Sequence, residues 1–222
     1  MRDISVFDVI GPNMIGPSSS HTAGALRIAR MAQAMAQSKI RSVRFILYGS
    51  FARTYKGHGT DRALLAGILG YGPEDLRIRN SFDYAKEAGI EYQFDIDTAN
   101  QDVHPNTVKI LITEESGQKL SVVGESIGGG NAVLKQLNGI DITLSGDYQT
   151  LLVEQKDKPG VLAYITACLG EEQINIAFLR MYRENRGEAA YTVIEVDGVI
   201  PENVVDKVKG HPAVGNVTLI QL

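Results

Sequence analysis

Ile15-Gly16-Pro17-Ser18-Ser19-Ser20-His21-Thr22-Ala23-Gly24 runs directly into a helical pattern. Ala25, Ile28, Ala29, Ala32, Met35 and Ala36 recur at spacings of three and four, one face of an α-helix. The serines stand where a helix N-cap belongs. A helix start presents unpaired backbone N–H groups and the positive end of its dipole. Here three hydroxyls and an imidazole add donors at the same place. That combination suits a carboxylate or a phosphate. The same residues also read as an ordinary capped helix behind a Gly-Pro turn, since one serine suffices for a cap.

Working outward, 222 residues correspond to one large or two ordinary domains. A net charge of −4 and the lack of a basic stripe argue against a nucleic-acid partner. No apolar run is long enough to span a bilayer. Met1–Asp8 has no uninterrupted apolar core, so it does not read as a signal peptide. The single cysteine, Cys168, can form no intramolecular disulfide, which fits a cytoplasmic protein.

Val43–Tyr48 reads as a mostly buried strand ending at Gly49-Ser50. Lys56-Gly57-His58-Gly59-Thr60-Asp61 then interrupts the pattern as a loop. Arg62–Leu69 reads as a helix capped by Thr60 or Asp61 and stopped by Gly70 and Gly72. Phe82–Ala88 reads as a short helix, and Tyr92–Asp97 alternates as a half-buried strand. His104-Pro105-Asn106 is a turn. Val108–Thr113 and Leu120–Val123 form a hairpin around Glu115–Gln118. Ile127-Gly128-Gly129-Gly130-Asn131 is a second Gly-rich loop, read either as a flexible turn or as backbone able to approach a ligand. Ile140–Leu144 is a further short strand, and Ser145-Gly146-Asp147 marks a boundary. Beyond it the elements follow βαββαβ order: Leu151–Glu154, Val161–Leu169, Ile174–Tyr182, Ala189–Val196, Asn203–Lys209 and Val214–Leu222. Val161, Leu162, Ile165 and Leu169 face inward on the first of the two helices. The expected domains are 1–146 and 148–222, an α+β arrangement.

His21, His58 and His104 all fall in expected loops rich in Gly, Ser or Thr. Loop placement favours function over core packing, although a single loop histidine is usually just exposed. His58 lies between two glycines, and imidazole has the pKa for proton abstraction near neutrality. His211 precedes Pro212 in a turn and reads as structural. Three histidines also suit zinc, but no close His or Cys pair supports a site. Neither a Gly-x-Ser-x-Gly elbow nor a P-loop is present.

Gly16–Thr22, Gly57–Asp61 and Ser126–Gly130, in that order, resemble the iron–sulfur L-serine dehydratases. The resemblance is to the β subunit of the two-subunit bacterial form and covers essentially the whole chain. The second domain resembles an ACT domain through Asp157–Leu162 and Asn175-Ile176-Ala177. The first is similar to the extra αβ domain preceding ACT in some phosphoglycerate dehydrogenases. The resemblance implies a lyase of amino-acid catabolism and gluconeogenesis that converts L-serine to pyruvate and ammonia. In the family a [4Fe–4S] cluster acts on the leaving hydroxyl while a base removes the α-proton. Such a cluster needs about three or four cysteine thiolates, and this chain has one. A cysteine-bearing α chain is therefore an expected partner, and this chain is expected to ligate no metal.

By the same resemblance His58 is the candidate base. Ser18, Ser19, Ser20, His21 and Thr22 would bind the substrate carboxylate. Gly57, Gly59, Thr60, His104, Asn106, Gly128, Gly129 and Gly130 would complete the substrate site. Gln155, Asp157, Gly160 and Asn175 would hold an amino-acid effector, although Gln155 and Asp157 differ from the His and Asn usual in serine-binding ACT sites. The open edge of an ACT sheet commonly pairs across a dimer, so self-association is expected. Two other readings stay open. One is a non-catalytic amino-acid-sensing subunit, which would not need His58. The other is an effector fragment of a biosynthetic dehydrogenase, which without a Gly-x-Gly-x-x-Gly motif cannot bind the nucleotide itself.

Overall fold

The computed structural model describes residues 13–100, 102–183 and 185–222. The segment Met1–Asp8 lies outside them. The chain divides between Gly139 and Ile140 into two compact units.

The first unit begins with the Ser-rich stretch. Ser18 is extended, and its hydroxyl accepts the His21 backbone N–H, so it is the cap the sequence suggests. Ser19–Gly24 then winds as a wide π-type turn before α1 (Ala25–Ala34). Turns of this kind open the backbone and recur at functional sites. Ala25, Ile28, Ala29 and Ala32 are fully buried, as their spacing predicts, and Leu26 and Met31 are buried too.

The sheet of this unit has the order β2-β1-β3-β4-β5. Its strands are β1 (Ile40–Tyr48), β2 (Glu91–Asp97), β3 (Thr107–Glu114), β4 (Lys119–Gly128) and β5 (Asn131–Leu137). β2 runs parallel to β1, while β3, β4 and β5 form an antiparallel meander. Val43, Phe45 and Leu47 of β1, Val108, Ile110 and Ile112 of β3, and Val122 and Leu134 beyond them are all buried. Each such buried Leu, Ile, Val or Phe side chain contributes about 1.5–3 kcal/mol. The crossover from β1 to β2 carries α2 (Gly49–His58), α3 (Thr60–Ile68), a 3₁₀ turn at Leu76–Asn80 and α4 (Ser81–Glu87).

Three glycines let α1 lie unusually close to its neighbours. A side chain at Gly67 of α3 would begin 2.5 Å from the Leu26 carbonyl oxygen and 2.6 Å from Ala29 Cβ. One at Gly124 of β4 would begin 2.4 Å from Ile28 Cγ2, and one at Gly24 would begin 2.0 Å from the Ser126 hydroxyl. The loop after α1 is tied down by buried Glu114. Its carboxylate accepts from Gln37 N at 3.1 Å, Ser38 N at 2.8 Å and Ser38 Oγ at 2.7 Å.

Several expectations need correction. The stretch through Gly57-His58 is the last turn of α2, a helix the sequence reading did not contain. Gly59, left-handed at φ 68°, ends it and starts α3, so neither Thr60 nor Asp61 caps that helix. β2 is an edge strand, so Tyr92 and Ile96 are exposed although they alternate with polar residues; only Phe94 gains cover, stacked on Phe45 at 4.7 Å. β5 was also not expected.

The second unit opens with β6 (Ile140–Leu144). It continues through β7 (Gln149–Lys156), α5 (Val161–Glu171), β8 (Ile176–Arg183), β9 (Ala189–Val196), α6 (Glu202–Lys209) and β10 (Val214–Ile220). The four-stranded sheet has the order β10-β7-β9-β8, the βαββαβ arrangement read from the sequence. Leu151, Val153, Val161, Ile165, Cys168, Leu169, Ile194, Val204 and Val208 build its core. Leu162 is only half-buried, and Cys168 takes the inward place instead. His211 serves a turn, its Nδ1 accepting the Ala213 N–H at 3.1 Å. No described helix is long and apolar enough to cross a membrane.

The α1–α3 contact tolerates no side chain at position 67. Gly67→Ala is expected to lower stability by about 1–3 kcal/mol through overpacking, read as a fall in the thermal midpoint; an unchanged midpoint would show that the close approach is dispensable.

Candidate active site

The π-type turn carries His21 to the end of α2. The rings of His21 and His58 lie 4.7 Å apart between centroids, tilted by 39°. Phe51 presents an edge to His21 at 5.3 Å. The Thr22 hydroxyl, buried, donates to the His58 carbonyl at 3.3 Å and so ties the turn to the last residue of α2. Both nitrogens of His21 are engaged, Nε2 with Ser50 Oγ at 3.1 Å and Nδ1 with Ser18 Oγ at 3.4 Å. Among the described residues no group hydrogen-bonds a ring nitrogen of His58. Burial, and then the charge of His58, push the His21 pKa below its ordinary 6.5. Burial also pushes the Asp61 carboxyl up, against the pull of the Arg62 N–H and of the Arg62 and Lys56 charges.

The glycines beside His58 divide by role. Side chains at Gly57 or Gly59 would meet nothing within 4 Å, so the backbone on either side of half-buried His58 is uncrowded. Gly59 is required by its left-handed backbone. Thr60 is fully buried, and among the described residues its hydroxyl has no partner, so it does not line the open side. His104 belongs to a loop that reaches the same place through its neighbour. The Pro105 carbonyl accepts the Ser50 and Phe51 N–H groups at 2.6 and 3.3 Å, which fills the N-terminus of α2. His104 Nδ1 accepts the Asn106 N–H at 3.3 Å, and Asn106 O accepts the Ser126 N–H at 2.9 Å. Asn106 Oδ1 and Ser126 Oγ are buried without a partner among the described residues.

Gly128, Gly129 and Gly130 are not a loose loop. Gly128 pairs with Asn131, and Gly129-Gly130 is a two-residue hairpin turn with φ of 60° and 84°. It stands beside the π-type turn, since a side chain at Gly24 would also begin 3.3 Å from the Asn131 carbonyl oxygen. Ser18, Ser19 and Ser20 are half-buried at the cap and first residues of the turn.

In the second unit the four expected effector residues do not meet within one chain. Gln155 stands level with Ala190 and Arg183, whereas Ile176, next to Asn175, stands level with Val196 and Gln149. The two ends lie roughly 20 Å apart along the strands. Gln155 is buried with its Oε1 unpartnered among the described residues, and Gly160 is the left-handed residue before α5. Asp157 accepts from Gly187 N at 3.1 Å and Arg183 at 2.9 Å, and these hold its carboxyl below the usual range. Asn175 donates to Asp197 at the far end.

A family profile described as the serine dehydratase beta chain matches residues 5–137, and the ACT domain profile matches residues 149–212. This chain belongs to the serine dehydratase beta chain family. The L-serine dehydratase beta chain of Peptoniphilus asaccharolyticus is 42% identical over 210 residues, 95% of this chain and 95% of its own. The probable L-serine dehydratase beta chain of Bacillus subtilis strain 168 is 42% identical over 220 residues, 99% of each. A D-3-phosphoglycerate dehydrogenase from Methanocaldococcus jannaschii is 26% identical over 125 residues, 56% of this chain and 24% of that protein. The donor set of this beta chain does not fit a [4Fe–4S] cluster. Its one cysteine is buried in the core of the second unit. Among the described residues, no three His, Cys, Asp or Glu side chains gather as a metal site.

Ser50 was missed at the sequence level. The available signal was Gly49-Ser50 at a strand end, a turn suited to starting a helix.

Because the folded His21 resists protonation, it takes up its proton below 6.5 while the unfolded chain takes one up near 6.5. This group therefore subtracts stability as the pH falls below about 6.5. His58→Ala is expected to move the His21 midpoint upward in an NMR titration; an unmoved midpoint would show that the two rings do not interact.

Proposed function

We propose that this chain is the substrate-binding, base-supplying half of a two-chain L-serine dehydratase, forming pyruvate and ammonia. The observation that carries the reading is the histidine pair, a half-buried His58 whose ring nitrogens have no hydrogen-bond partner among the described residues beside a His21 held at both nitrogens. The Ser19 and Ser20 hydroxyls and the backbone N–H groups that open the turn receive the substrate carboxylate, helped by the positive end of the helix, while Ser18, His21 and Thr22 hold the turn in place. His58 takes the α-proton. The C–H electron pair becomes the new double bond as the β-hydroxyl departs, and the aminoacrylate tautomerises and hydrolyses. The low pKa of His21 serves this step, because His58 then becomes charged beside a neutral ring rather than a second cation. Gly57, Gly59 and the Gly128–Gly130 turn keep the approach free of side chains, and His104 and Asn106 flank it.

The [4Fe–4S] cluster belongs, on this reading, to a cysteine-bearing α chain, and the histidine pair of the first unit faces that partner. Residues 148–222 form the regulatory half, with an amino-acid effector at the Gln155–Gly160 end and a sheet edge available for self-association. A cytoplasmic location accords with a lone thiol.

The test combines this chain anaerobically with the cysteine-rich α chain, reconstitutes iron and sulfide, and follows pyruvate from L-serine. Activity is expected only in the mixture. His58→Ala is expected to cut turnover by about 10²–10⁴-fold with assembly intact. Turnover like the wild type would remove His58 from the chemistry, and activity from the α chain alone would favour a purely regulatory role.

A further inference from the structure

We infer that Ser50 is a positioning residue for this reaction: its hydroxyl holds Nε2 of His21 and thereby sets the tautomer of that ring and its angle to His58. The inference rests on the reading of His58 as the base.

Ser50 is itself held at both ends. Its N–H donates to the Pro105 carbonyl at 2.6 Å, and its carbonyl accepts the Thr54 hydroxyl at 2.8 Å. Gly49 makes the first contact possible. Its φ is 52°, and a side chain there would begin 2.6 Å from the same Pro105 oxygen. The main chain thus fixes the backbone of Ser50, whose Oγ stands 3.1 Å from His21 Nε2. The neighbouring Phe51, whose N–H shares the Pro105 carbonyl, closes one side of the imidazole. His58 lies against the ring as well.

A neutral imidazole has one N–H and one lone pair, and a serine hydroxyl has one hydrogen and two lone pairs, so either tautomer satisfies both contacts. The inferred form is Nε2–H: Ser18 Oγ, which accepts the His21 backbone N–H at 3.2 Å, donates its own hydrogen to Nδ1, and Ser50 Oγ accepts the proton on Nε2. Without Ser50 the Nε2–H loses its partner, the tautomers mix, and the ring is free to turn. The surface on which His58 rests then moves, and base placement matters on the scale of an ångström. Ser50 acts through His21 rather than on substrate.

The experiment has two readouts. The first uses this chain alone, labelled with ¹⁵N at histidine, and reads the ring-nitrogen shifts of His21 above its titration. The wild type is expected to show the Nε2–H form, Ser50→Ala a mixture, and Ser50→Thr the wild-type form. A wild-type chain in the Nδ1–H form, or a Ser50→Ala ring unchanged in tautomer and midpoint, would overturn the inference. The wild-type spectrum decides even where a variant folds poorly. The second readout is turnover with the α chain, where Ser50→Ala is expected to lower kcat about three- to tenfold while KM changes little. A change in KM alone would move Ser50 from positioning to binding and overturn the inference. If the tautomer behaves as expected but the wild-type mixture makes no pyruvate, the dehydratase reading fails while the hold of Ser50 on His21 stands.

Discussion

Helix α1 can occupy its place only because side chains are missing around it. At Gly24, Gly67 and Gly124 even one added carbon would intrude on Ser126, on the Leu26 carbonyl or on Ile28. Close packing of this kind makes an interior behave as a solid, where small volume changes are felt at a distance. The π-type turn that carries His21 is the direct continuation of this helix. Its position is therefore set by the Gly24 contact and by contacts made further along the helix as well as by the Ser18 cap. The Glu114 carboxylate performs the matching task at the other end, where it accepts from the loop that follows α1.

The histidine pair is assembled from pieces far apart in the chain, and α2 is the element that joins them. Its first turn supplies Ser50 and Phe51 to His21, and its last residue is His58. The Thr22 hydroxyl returns from the π-type turn to the His58 carbonyl, so both ends of the helix are fastened to the same segment. The Pro105 carbonyl occupies the start of α2, which leaves the π-type turn as the helix start that still has backbone donors to offer an anion.

Much of this was legible without coordinates. The βαββαβ order of the second unit and the buried face of α1 follow from spacing that tertiary contacts then reinforce. Helix α2 was not legible, because only Phe51 and Ala52 of its ten residues are buried and glycines stand near both its ends. Ten residues with two inward contacts leave no apolar stripe to detect. For the same reason His58 was read as a loop residue and Ser50 was passed over. The motif residues around His21 and His58 could be listed from sequence, but not the path by which Pro105 places Ser50. The spacing of the expected effector residues was not legible either. Asn175 and Gln155 belong to opposite ends of a sheet whose register no local pattern reveals.

Cys168 has a use that depends only on where it lies. It is the one thiol of the chain, and it is buried among Val161, Ile165, Leu169 and the strands of the second unit. A thiol in that setting meets a reagent only when its surroundings open. Its alkylation rate is thus an intrinsic clock for opening of the second unit. Any ligand or partner that steadies the second unit slows that clock, with no probe added to the protein.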